Sequence, residues 1–112
     1  MDSKRQHKVS RLLQKEMSAI FEFEVRDILH GGLVTITKVY VTKDLAISRF
    51  YLSIFSVKNK QNLLEEIRSH TPELRYRLGN RIAKQVRAVP QLEFFEDDSL
   101  DYIENIEKLI KE

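Results

Sequence analysis

The chain has no cysteine, only two prolines and three glycines, and no long apolar run. Without cysteine there is neither a disulfide framework nor a thiolate metal site. So few glycines and prolines leave no linker, and no repeat or low-complexity tract is present. No stretch approaches the ~20 apolar residues that span a bilayer, and a mean hydropathy of −0.38 also argues against burial in lipid. The opening "MDSKRQHKVS" carries cations with no apolar run behind them, so it does not read as a secretory signal. These absences fit a cytoplasmic protein without a membrane partner. At 112 residues the chain is expected to form a single domain, 1–112, with one modest core.

Carboxylates are missing locally. "RYRLGNRIAKQVRAVP", residues 75–90, holds Arg75, Arg77, Arg81, Lys84 and Arg87 and not one acid. Helices in water usually intersperse the two signs, because opposite charges four residues apart are mildly stabilising. Five cations without a local partner suggest that the anion comes from outside. The net charge of +2 hides the same asymmetry. Residues 1–90 carry 17 Lys/Arg against 9 Asp/Glu, and residues 91–112 carry 2 against 8. A polyanion would meet a basic body with an acidic C-terminal end.

The periodicities give an element order. Ser3 followed by Gln6 reads as a capping box, and Val9, Leu13, Met17 and Ile20 share one helical arc with Phe21 at its edge. This helix is expected to run to about Asp27 and to end at the turn His30-Gly31-Gly32. The period then becomes two in "LVTITKVYVT" and "AISRFYLSIFSV", two strands joined by a tight turn at Lys43-Asp44-Leu45. Asn59 should cap a second helix burying Leu63, Leu64 and Ile67. Thr71-Pro72 should start a third, with Thr71 as its cap and Leu74, Leu78, Ile82 and Val86 inward. Val89-Pro90 reads as its stop. "QLEFFE" is a short third strand, and Asp97, Asp98 and Ser99 should open a fourth helix using Ile103, Ile106 and Ile110. The order α-β-β-α-α-β-α implies an α+β fold with a three-stranded sheet.

Arg77, Arg81 and Lys84 are spaced to share a face of the third helix, and Lys4, Lys8, Arg11 and Lys15 to share one on the first, with Arg5 beside them. A solvated basic face would be the ordinary explanation. Against it, cations crowd the start of the first helix, where the macrodipole disfavours them. Clustered Lys/Arg is the electrostatic footprint of nucleic-acid binding. Asp97, Asp98 and Asp101 need no more than a role at a helix start. His7, His30 and His70 lack metal-ligand spacing. His30 could serve as a general base in a ribonuclease, but a solvent-facing loop histidine is the plainer reading. Gly31-Gly32 is too short to cradle phosphate. Tyr40, Phe50, Tyr51 and Phe55 read as sheet packing, with base stacking as a lesser alternative. No metal or cofactor is expected.

Four segments resemble the ribosome-binding factor A family: "RQHKV" at 5–9, "VTITKVYVTKDL" at 34–45, Arg77, and "VRAVPQLEFFEDDSL" at 86–100. The resemblance covers nearly the whole chain. It implies a KH-like fold of type II order, α-β-β-α-α-β, with an extra C-terminal helix. It also implies a non-enzymatic role: binding the immature 30S small ribosomal subunit and its 16S rRNA, and assisting late maturation, rRNA processing and cold adaptation as a monomer. Contact with ribosomal proteins is a further implication, and an interaction module for a basic protein, using a sheet edge or the acidic end, is the alternative. A KH domain grips backbone with a G-x-x-G loop between paired helices. Here "RSHTPEL", 68–74, has no glycine, and Pro72 is expected to supply the bend. The residues expected to meet RNA are Lys4, Arg5, Lys8, Arg11, Lys15, Arg77, Arg81, Lys84 and Arg87.

Overall fold

The computed structural model describes residues 3–97. The fourth helix expected from Asp98 onward lies outside them. Helix α1 spans Lys4–Phe23 and starts on the expected capping box, with the Ser3 hydroxyl accepting from Gln6 N–H and the Gln6 side chain accepting from Ser3 N–H. It ends four residues earlier than expected, and a single turn, α2 (Arg26–Leu29), follows. His30 (φ 49°) and Gly31 (φ 81°) then take left-handed conformations that reverse the chain. Gly32 is required for a different reason. A Cβ there would sit 2.6 Å from Val57 Cγ1 and 3.0 Å from the Leu29 carbonyl.

Strands β1 (Leu33–Val41) and β2 (Ile47–Phe55) pair antiparallel, and β3 (Gln91–Glu96) adds parallel to β2, giving the order β1-β2-β3. Asp44 holds the β1–β2 turn by accepting from Ala46 N–H and the Thr42 hydroxyl. These two bonds, the hydroxyl first, hold its carboxyl below the usual carboxylate range. A bulge between Ile36 and Lys38 leaves Thr37 out of register, and its hydroxyl contacts Asp97 and the Tyr51 carbonyl.

Helix α3 (Lys60–Ser69) is capped by Asn59 as expected. Helix α4 (Thr71–Ile82) follows with only His70 between them, and Pro72 lies in its first turn. The cap differs from the expectation. Thr71 does not cap α4, because its hydroxyl donates to the Arg68 carbonyl at the end of α3. The helix also stops at Ile82 rather than at Val89-Pro90. Ala83, Lys84 and Gln85 are good helix formers, so propensity alone favours continuation. Tertiary contacts override it. Arg75 donates to the Val89 and Pro90 carbonyls, and Gly79 lets Val89 lie close against α4, so the chain must turn back after Ile82. Val86 is therefore only half-buried beside the core, and Pro90, itself buried, leads into β3.

The core lies between one face of the sheet and the helices. Leu13, Met17 and Ile20 from α1, Leu63, Leu64 and Ile67 from α3, and Leu74, Leu78 and Ile82 from α4 meet Phe50, Leu52, Ile54 and Phe94. Phe94 packs 5.4 Å from Phe50 and 6.3 Å from Phe21, centroid to centroid. The other sheet face carries the remaining aromatics of the strands, with Tyr51 stacked on Phe95 and Arg49 over the Tyr40 ring.

Candidate nucleic-acid interface

The structure divides the nine expected site residues into two groups. Arg77 and Arg81 are held within the molecule. Arg77 donates to Glu73 (3.0 and 3.2 Å) and to Glu24 (3.1 Å). Arg81 donates to Glu16 and to Glu24, both at 2.8 Å. The expectation that these cations lack local partners is thus corrected: α1 supplies the acids from across the helix pair, and Glu73 supplies one within α4 itself. The two guanidiniums are held above their ordinary value, Arg77 by Glu73 and then Glu24, Arg81 chiefly by Glu16. In turn Arg77, with His70 behind it, keeps the Glu73 carboxyl below the usual range.

The other seven carry no ion pair among the described residues. Lys4, Arg5, Lys8, Arg11 and Lys15 are exposed on the first four turns of α1, where no acid stands in the first turn. Lys84 and Arg87 are also exposed, but they lie in the 83–90 turn and not on α4, because that helix ends at Ile82. The shared helical face expected for Arg77, Arg81 and Lys84 is corrected accordingly. The early stop has a consequence for the surface. It carries the 83–90 turn over to the start of α1, and a cleft of about 250 Å³ is lined by Arg5 and Val9 on one side and Gln85, Val86 and Arg87 on the other. Asp44 closes the cleft, with its carboxylate already engaged by the hairpin turn. Arg5 of α1 and Arg87 of the turn are thereby brought to one cleft, and Arg5 also borders the stretch lined by Lys4, Lys8 and Arg11.

Phosphate is the chemistry this surface suits. Lys4 and Arg5 stand in the first turn of α1, at the positive end of its dipole, where cations are disfavoured, and Lys8 follows one turn later. No carboxylate among the described residues pairs with them, and an external polyanion would offset that cost.

A family model described as "Ribosome-binding factor A" matches residues 5–110. The chain belongs to that family. The family's protein from Cytophaga hutchinsonii is 43% identical over 110 residues, covering 98% of this chain and 83% of its own length. The crystal structure of ribosome-binding factor A from Thermus thermophilus superposes with a TM-score of 0.68 at 20% identity, over 81% of this chain and 94% of that one. A homology model of the Thermus thermophilus factor, fitted into the cryo-EM map of a 30S–RbfA complex, superposes with a TM-score of 0.59 at 21% identity, over 88% and 97%. The fold is the KH-like one of these ribosome-binding factor A structures, and no G-x-x-G loop separates α3 from α4.

One exposed residue of this fold was passed over in the sequence. Tyr76 is 72% exposed on α4, above a cleft of about 730 Å³ that also has Arg75, Asn80 and Gln91 in its lining. The inward stripe Leu74, Leu78 and Ile82 already puts Tyr76 on the outer face of the helix, but no helical period announces the groove beside it. His30, the residue weighed as a general base, is exposed, with Nε2 3.2 Å from Glu66.

Proposed function

We propose that the chain is a non-enzymatic RNA-binding assembly factor of the bacterial cytoplasm, acting through its single domain, 1–112. It binds the immature 30S subunit and its 16S rRNA and assists late maturation and rRNA processing. The family relationship supports this reading, as does the Thermus thermophilus factor fitted into a 30S complex. The observation that supports it at particular residues is that seven of the nine cations carry no ion pair among the described residues, and that Arg5 and Arg87 line one cleft. Lys4, Arg5, Lys8, Arg11, Lys15, Lys84 and Arg87 contact phosphates. Arg77 and Arg81 fix α4 against α1 and so position that surface. Such contacts give affinity and register but no base information.

The test is co-sedimentation of the purified chain with purified immature small subunits, with mature subunits and with free 16S rRNA fragments. The expected result is binding to the immature subunit that weakens as salt rises. A chain that stays in the supernatant at low salt would overturn the reading.

A further inference from the structure

The cleft between the start of α1 and the 83–90 turn combines charge with an apolar floor. Its walls carry Arg5 and Arg87, neither of which has an ion pair among the described residues. Val9, Leu45 and Val86 line it as well, and each packs against the core while staying partly open to solvent. Asp44 is the one acid in the lining, and the hairpin turn engages its carboxylate. The adjoining surface of Lys4, Lys8 and Arg11 has no acid in its lining. A phosphate satisfies the arginines and leaves the apolar floor uncovered. An occupant that satisfies both parts brings an aliphatic side chain with a carboxylate close by.

The chain itself supplies that chemistry. Residues 98–112, outside the described residues, read "DSLDYIENIEKLIKE", with five acids against two lysines and five Leu or Ile. Their point of departure is fixed. Asp97 donates its N–H to the Leu52 carbonyl (2.7 Å), and its carboxylate accepts from the Thr37 hydroxyl. Pro90 lines the cleft and Asp97 follows seven residues later, so about 23 Å of strand separates the two. The fifteen residues after Asp97 span about 50 Å when extended, enough to return to the cleft. A tethered occupant also has an effective concentration on the order of millimolar, which a second copy in dilute solution lacks.

We propose that residues 98–112 fold back onto the Arg5–Arg87 cleft and compete there with RNA. Ile106 and Ile110 cover the floor of Val9, Leu45 and Val86, and Glu104 and Glu107 face the two arginines. RNA phosphates need the same arginines, so binding RNA displaces the segment. The competition rests on the RNA-binding reading above, whereas the contact itself does not. A ligand that engages few of the cations leaves the segment in place, and one that engages the whole basic surface removes it. The segment thereby favours extensive RNA surfaces over short or scattered phosphates.

The chain has no cysteine, so Lys108→Cys gives a single site for a nitroxide label on the full chain. The label should broaden the amide signals of Val9, Val86 and Arg87, and 16S rRNA fragments should restore them. No broadening at these residues, or broadening seen only between labelled and unlabelled chains in a mixture, would overturn the proposal. A second arm measures affinity for 16S rRNA fragments. Ile106→Ser/Ile110→Ser keeps every charge, and Glu104→Gln/Glu107→Gln removes two carboxylates. Both should bind roughly threefold to tenfold more tightly than the unmodified chain, because the fraction with an open cleft rises. Unchanged affinity in both, or a gain in the glutamine variant alone, would overturn the proposal and leave the assembly-factor reading standing. If the unmodified chain bound no RNA, that reading would fall and the competition with it.

Discussion

Arg81 Nε lies 2.8 Å from Glu16 Oε2, across sixty-five residues of chain and between the two helices α4 and α1. The same guanidinium reaches Glu24, which also receives Arg77. Two of the five cations in a run of sequence without acids, Arg77 and Arg81, are thus neutralised by acids from outside it. The surface that remains unneutralised is displaced toward the start of α1.

Arg81→Gln should lower stability and leave RNA binding alone. Its side chain is 36% exposed, so the loss should be modest, about 0.5–1 kcal/mol, seen as a lower midpoint in urea. Glu16→Gln should give a similar loss, and the double variant less than the sum. A wild-type midpoint with weakened RNA binding would mean that Arg81 serves the ligand and not the helix pair.

The Glu73 carboxyl, depressed by Arg77 and then His70, makes stability depend on pH. Its folded value lies below its unfolded one, so its contribution is fully present above the ordinary glutamate value of 4.5 and is lost as pH falls through the folded value. Urea midpoints of the unmodified chain and Glu73→Gln should therefore differ at pH 7 and converge well below pH 4.5. A difference that stayed constant down to pH 3 would remove the ion pair as its cause.

Gly32→Ala tests packing instead of charge. The new methyl would meet Val57 Cγ1 and the Leu29 backbone, neither of which is the end of a flexible side chain. A loss of about 1–3 kcal/mol is expected. An unchanged melting temperature would show that the 30–32 turn shifts freely.

Gln6→Ala should cost more than a capping residue usually does. Gln6 is buried, completes the capping box and donates to the Val41 carbonyl at the sheet edge. Losing both bonds in a buried place should cost about 1–3 kcal/mol. If the cost matched that of an exposed cap, the Val41 contact would carry no stability.

The fold was largely legible because its signals are local. Ser3 and Gln6, Asn59, and the alternation through residues 33–55 each act within a few residues of themselves. Misreadings arose where distant contacts decide. The end of α4 at Ile82 depends on Arg75 holding Val89 and Pro90, and nothing in "RIAKQV" announces it. The interface was legible as chemistry, because clustered cations at a helix start oppose the helix dipole. It was not legible as a partition. Which arginines are neutralised depends on Glu16 and Glu24 of α1 lying beside α4, a tertiary fact without a sequence period.

The most direct test of the central claim is the salt dependence of RNA binding in two matched variants. Lys8→Gln/Arg11→Gln/Lys84→Gln/Arg87→Gln removes four cations that carry no ion pair among the described residues, and Arg77→Gln/Arg81→Gln removes the two that are paired. Each phosphate contact contributes about −0.7 to the slope of log affinity against log salt for single strands. The fourfold variant should bind 16S rRNA fragments more weakly with a slope shallower by roughly 3, and the double variant should keep the wild-type slope. A slope changed by the double variant and unaltered by the fourfold one would contradict the account.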